Sequence, residues 1–174
     1  MAIEMTERFL NSEIKFLSQQ KELVFIESVE KEYNASISIH VNGESKTINL
    51  RGFVDRVDRV GDQVRIIDYK SGKVLNNDVA LRDKDKSAED IVETIKKRKH
   101  VLQLLQYAFL YKKNHNVIPQ SSIISFVSNQ GEPFILNVKK NDLEMVVSNF
   151  PRYLGIIFSE MYIFPSILLF FHDF

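Results

Sequence analysis

Two segments, GFVDRVD at residues 52–58 and RIIDYKSGK at residues 65–73, stand on either side of a Gly61-Asp62 turn. Residues 46–60 and 63–70 read as strands, the second carrying Val64, Ile66 and Ile67. The turn folds them back on each other, and counting outward from its centre sets Asp55 across from Asp68. Lys70 lies two residues beyond Asp68, so it leaves the same face of the sheet. Two carboxylates on adjacent strands can share one divalent cation, and hard oxygen ligands suit Mg2+ with water positions to spare. Such a cation orients an attacking water and offsets charge on a phosphate. A lysine beside it helps position or deprotonate that water, or stabilises the developing charge. The set Asp55, Asp68 and Lys70 therefore suits phosphodiester hydrolysis.

Upstream of this pair, Ile37, Ile39 and Val41 alternate with Ser36, Ser38 and His40, and Asn42-Gly43 follows as a hairpin signal. Residues 22–33 read as a further strand, so 22–70 form an antiparallel meander. Ile3, Phe9, Leu10 and Ile14 recur at helical spacing, which predicts a helix over 3–20. Downstream, residues 71–82 read as loop. Ser87 with Asp90 offers a cap for one long helix running to about Lys113. Strands over 118–127 and 134–138 follow, then a helix from Asn141 through Ile157. Helix, strands, helix, two strands and helix in one chain predict an α/β domain whose mixed sheet carries helices on its faces.

The chain has 174 residues, 23 basic and 23 acidic, with 44% apolar and 26% charged. That is an ordinary globular composition and argues against global disorder. There is no cysteine, which excludes a disulfide scaffold, a thiolate metal site and a cysteine nucleophile. Zero net charge argues against holding nucleic acid by bulk electrostatics alone. No apolar signal region opens the chain, and its longest apolar run, residues 161–174, falls short of the roughly 20 residues that span a bilayer. A cytoplasmic chain with no membrane partner is expected.

The series GxxDRxD, hairpin and IDYKSGK resembles the nuclease core of the PD-(D/E)xK superfamily. Gln103 and Tyr107 add a QxxxY element on the following helix, which makes the likeness closest to the RecB/AddB-type exonuclease branch. The resemblance covers about residues 22–128. It implies a restriction-endonuclease-like core and a DNA nuclease using Mg2+ or Mn2+ in repair or recombination, with DNA and a helicase or other repair subunit as partners. Asp55 and Asp68 would be metal ligands with the Tyr69 carbonyl as a third, and Lys70 the catalytic lysine. Gln103 and Tyr107 would line the DNA side. Glu30 matches an acidic residue found ahead of the core hairpin.

Two departures stand against that likeness. The branch usually carries an upstream helical histidine as a further ligand, whereas the upstream histidine here is His40, on a hairpin strand. Glu4, Glu7 and Glu13 match no motif. The cysteines that hold an iron–sulfur cluster in many members are missing, so residues 1–174 are expected to be a single domain cut short at one or both ends. A rival reading is a nuclease-fold module without turnover that binds DNA ends or scaffolds a repair complex; an RNA or nucleotide substrate is a third. Arg56 and Asp58 are expected to pair within the hairpin. Lys96, Lys97, Arg98 and Lys99 precede Gln103 and offer phosphate contacts or a solvated face. His115 reads as part of a helix-ending loop, and Tyr162, Phe164, Phe170 and Phe171 as core closure or a partner surface.

Overall fold

The computed structural model describes residues 2–82, 85–139 and 141–163. Its sheet grows from one hairpin. Asn42 and Gly43 adopt φ of 50° and 84°, the left-handed pair that a tight two-residue turn demands and that Asn-Gly supplies at least cost. The turn joins β1 (Val24–Val41) to β2 (Glu44–Val60), so the segments read as 22–33 and 34–41 are one continuous strand. Gly61-Asp62 then brings in β3 (Gln63–Lys70), antiparallel to β2, with Arg56 opposite Ile67. β4 (Gln120–Ser125) runs parallel to β3, and the two-residue β5 (Phe134–Ile135) ends a sheet of order β1-β2-β3-β4-β5. A parallel neighbour requires a crossover; α2 (Ala88–Ile95) and α3 (Lys99–His115) supply it. With α1 (Ala2–Gln19), α4 (Leu143–Ser148) and α5 (Phe150–Ile163), the result is the expected mixed sheet flanked by helices.

The two faces of the sheet are covered by different chemistry. On one, Leu104, Leu105, Ala108 and Phe109 of α3 pack with Ile37, Ile39 and Val41 of β1 and Leu154 and Ile157 of α5 in a single apolar cluster. On the other, α1 lays Phe9 edge-on against Tyr69 and Phe126, and Phe16 over the Arg65 guanidinium, 3.8 Å from ring centre. Beneath α1 lies a buried charge cluster. Arg56 bridges Glu13 Oε2 at 2.6 Å and Asp58 Oδ2 at 2.7 Å, and Arg65 Nε stands 3.6 Å from Asp58 Oδ1. The expected Arg56–Asp58 pair is present, and its extension to α1 pins that helix to the sheet.

Gly52 sets how closely α3 approaches β2. A Cβ there would lie 3.0 Å from Leu110 Cδ1 and 3.1 Å from Tyr107 Cε1. Replacement by a larger residue must push α3 outward, and overpacking of this kind costs about 1–3 kcal/mol. Gly52→Val is therefore expected to lower the unfolding free energy by that amount, seen as a lower urea midpoint with an unchanged m-value in a chemical denaturation curve.

The helices depart from the expected pattern in two places. The single helix predicted from Ser87 to Lys113 is broken at 96–98 into α2 and α3. Ser87 does cap α2: its Oγ accepts from Asp90 N–H at 3.1 Å while Asp90 Oδ2 accepts from Ser87 N–H at 3.3 Å. The break contains neither glycine nor proline and follows tertiary demand. Lys96 reaches Glu160 of α5 at 2.7 Å, and the Arg98 guanidinium donates to the Ala80 carbonyl. The basic run thus forms the joint ahead of α3 rather than its first turns, and only Lys99 belongs to the helix that carries Gln103. The last helix is likewise two, split at Asn149. Pro151 sits second in α5, where its missing N–H costs nothing. The predicted strands 118–127 and 134–138 shorten to β4 and β5, with Asn137 retaining one isolated bridge to Ala80. The aromatic tail from Tyr162 onward lies outside the described side chains. Among described residues, no helix is long and apolar enough to cross a membrane.

Candidate active site

Asp55 lies at a break in the alternation of β2. Val54 and Val57 both join the apolar cluster formed with Tyr107, Leu110 and Tyr111 of α3. In an uninterrupted strand, residues three apart face opposite ways, so the alternation shifts between them. Across the ladder, Val29 pairs with Arg56 and Lys31 with Val54, while Glu30 between them has φ of 47°. The pairing keeps its register across this point, and the register shift of the hairpin lies between Ile26 and Ser28. The β2–β3 pairing ends at Arg56 and Ile67. Just beyond it, the Tyr69 N–H donates to Asp55 Oδ2 at 2.7 Å. Asp55 therefore reaches β3 with its carboxylate where the ladder stops.

Asp68 is the buried centre of the site. Gln103 Nε2 donates to its Oδ1 at 3.1 Å and to the Tyr107 hydroxyl at 2.9 Å. Lys70 Nζ stands 2.9 Å from Oδ2, a charge contact without the alignment of a hydrogen bond. Burial pushes the Asp68 carboxyl above the usual carboxylate range; Lys70 opposes the shift, Asp55 adds to it, and Tyr107 opposes it. Tyr107 is pushed up to about 12, first by burial and then by the Asp68 charge. Tyr69 turns its side chain to the other face, where Arg56 Nη1 donates to its hydroxyl at 3.2 Å. Its backbone remains between the two carboxylates.

The structure brings together five of the residues singled out in the sequence: Asp55, Asp68, Lys70, Gln103 and Tyr107. The basic run is spent largely elsewhere. Lys96 pairs with Glu93 and Glu160, Lys97 lies 3.8 Å from Glu93, and Arg98 holds Ala80. Lys99 is exposed on the first turn of α3. Glu30 is exposed on β1, His40 is exposed near the hairpin turn, and Glu13 is committed to Arg56. One site neighbour escaped the sequence reading. His100 precedes Gln103 and Tyr107 by three and seven residues on α3, the spacing of one helix face. That spacing was the available signal.

Whether these residues suit a divalent cation follows from their donor set. Among described residues, no group of three or more His, Asp or Glu side chains is gathered as a metal cage. Mg2+ does not need one: it takes one or two carboxylates and keeps several waters. Asp68 Oδ2 is buried and has no aligned hydrogen-bond donor, and the Asp55 charge bears on it. A buried, under-satisfied carboxylate oxygen beside a second carboxylate fits a hard cation.

Comparison with known proteins gives three results. The family model described as the PD-(D/E)XK nuclease superfamily matches residues 2–152. A search of curated proteins finds no match. Among solved structures, the crystal structure of SSO0001 is similar at 14% identity with a TM-score of 0.35, covering 85% of this chain and 56% of that one. The chain thus spans just over half the length of that solved structure.

Proposed function

Because the chain belongs to the PD-(D/E)XK nuclease superfamily, we propose that it is a Mg2+- or Mn2+-dependent DNA nuclease of the RecB/AddB-type branch. It acts exonucleolytically in repair or recombination, in the cytoplasm, with a helicase or other repair subunit. Members of this superfamily typically use divalent metals, and their general activity is nucleolytic. The observation that carries the proposal is the convergence on Asp68: Lys70 on its own strand, Gln103 and Tyr107 from α3, and Asp55 from β2.

In this reading Asp55, Asp68 and the Tyr69 carbonyl would hold the cation. When bound, the cation supplies Lewis-acid charge and a more acidic water. The chain's residues do the rest. Gln103 fixes Asp68 through Oδ1 and leaves Oδ2 to face the site. Lys70 presents its ammonium where negative charge develops on the phosphate. Lys99, exposed at the start of α3, contacts the DNA backbone, whereas Gln103 and the buried Tyr107, expected on the DNA side, hold Asp68 in place behind it. Lys96, Lys97 and Arg98 contribute a weaker share, because Lys96 and Lys97 face carboxylates and Arg98 is held on the Ala80 carbonyl.

The test is cleavage of linear and circular DNA with Mg2+ or Mn2+, and again after EDTA. Linear DNA is expected to be degraded, circular DNA to persist, and EDTA to abolish the reaction. Cleavage that survives EDTA would overturn the proposal. A second reading, a DNA-end-binding module without turnover, is favoured by the position of the upstream residues: His40 is exposed near the hairpin turn and Glu13 is committed to Arg56, so neither joins the site. It predicts calorimetric Mn2+ binding with no cleavage of any DNA or RNA.

A further inference from the structure

We infer that the Tyr69 side chain is a positioning residue for Asp55: together with its own N–H it clamps β2 to β3 where their pairing ends, so that Asp55 is held beside Asp68 before a divalent cation arrives. This rests on the metal-site reading above and adds to it what fixes the two carboxylates relative to each other. The β2–β3 ladder stops at Arg56 and Ile67, one residue short of Asp55 and Asp68. On its other side, β3 stays paired with β4 as far as Lys70. Across the open side, Tyr69 is gripped twice. Its N–H donates to Asp55 Oδ2 at 2.7 Å, and its hydroxyl accepts from Arg56 Nη1 at 3.2 Å. Asp55 and Arg56 are adjacent on β2, so one dipeptide holds both the backbone and the side-chain tip of one residue.

The ring between these two points is anchored as well. Phe126 stacks on it with centroids 5.8 Å apart and planes at 20°, and Phe9 of α1 meets it edge-on at 5.6 Å. Arg56 is fixed in turn by Glu13 of α1 at 2.6 Å and by Asp58 at 2.7 Å. The bond from the Tyr69 N–H to a carboxylate is charge-assisted, and so stronger than an ordinary ladder bond. It occupies one oxygen of Asp55 and leaves the other able to meet a cation. Mg2+ demands near-ideal octahedral geometry, so two ligands on separate strands must be held in fixed relation by the residues around them. A smaller apolar side chain at position 69 would remove the tie to Arg56 and the anchorage against α1, and Asp55 would follow the loosened backbone.

The test pairs calorimetric Mn2+ binding to the intact chain with hydrogen-exchange protection of the amide at position 69, in wild type, Tyr69→Leu and Tyr69→Phe. Tyr69→Leu removes ring and hydroxyl. It is expected to weaken Mn2+ binding about tenfold, the lower end for an outer residue that orients a metal site, and to lower protection at position 69 by a similar factor. Tyr69→Phe keeps the stack and loses the Arg56 bond, so a change of about threefold in each is expected, the lower weight of one hydrogen bond. The Leu136 N–H, bonded to the Ser121 carbonyl at 2.8 Å, reports the same sheet away from the clamp and should stay as protected as in wild type. Unchanged Mn2+ binding in Tyr69→Leu overturns the inference. An equal loss of protection at Leu136 overturns it too, since a merely structural role would loosen the whole sheet. So does weaker Mn2+ binding with position 69 still protected. Should Tyr69→Leu fail to fold, Tyr69→Phe carries the same comparison at its smaller expected change. A folded wild type that binds no Mn2+ overturns the metal-site reading as well, whereas wild-type binding that both variants leave unchanged overturns this inference alone.

Discussion

Asp68→Asn is expected to lower the rate of DNA cleavage by about a thousandfold or more while leaving the fold intact. The substitution preserves volume and removes the charge that would hold the cation. Lewis-acid stabilisation is worth several kcal/mol, and each 1.36 kcal/mol is tenfold in rate. The fold should tolerate the change well, because burial already disfavours the Asp68 carboxylate and a neutral amide relieves that cost. Lys70→Ala is expected to lose about 10²–10³-fold, the range for removing one preorganised group that stabilises developing charge. It should also release Asp68 from its ammonium partner, so Mn2+ affinity holds or rises as kcat falls. Measuring kcat and calorimetric Mn2+ affinity on the same preparations separates the two variants. Equal activity of wild type, Asp68→Asn and Lys70→Ala would remove these residues from the reaction.

The largest effect on stability is expected away from the site, at Asp58. Its side chain is fully buried between Arg56 and Arg65, which lie at 2.7 and 3.6 Å. Burial pushes its carboxyl upward while Arg65 and Arg56 pull it down. Removing the carboxylate leaves two guanidinium groups buried with only Glu13 to answer them. Breaking a buried ion pair by deleting one partner costs about 3–5 kcal/mol, so Asp58→Ala should lose that much in urea denaturation. Glu13→Gln, at the edge of the same cluster, should lose less, since its pair with Arg56 lies nearer solvent. Because Arg56 also donates to the Tyr69 hydroxyl, both variants should loosen α1 before they unfold the sheet. Hydrogen exchange of α1 amides reads that order. A loss below about 1 kcal/mol at Asp58 would mean the cluster is hydrated rather than sealed under α1.

Much of the site was legible because it rests on turn chemistry and strand arithmetic. Gly61-Asp62 fixes the β2–β3 register, and that register alone sets Asp55 beside Asp68 and Lys70 on the same face. Asn42-Gly43 fixes the longer hairpin in the same way. These are local steric facts, in which few residues can adopt positive φ, and a two-residue period carries their consequence along each strand. Gln103 and Tyr107 were legible as a helical pair through the family pattern, and the tertiary structure adds that both converge on Asp68.

Tertiary structure alone decided the rest. The joint at Lys96–Arg98 carries no glycine or proline; it follows from a lysine reaching α5 and an arginine reaching Ala80, contacts between segments distant in sequence. The break in alternation at Asp55 depends on Val54 and Val57 both finding room against α3, and Glu30 accepts a left-handed φ without being glycine or asparagine. His100 became visible only when α3 was laid across β3. Turn and strand rules act within a few residues and can be read from their identity, whereas helix breaks, bulges and site neighbours are set by which distant side chains must be buried together.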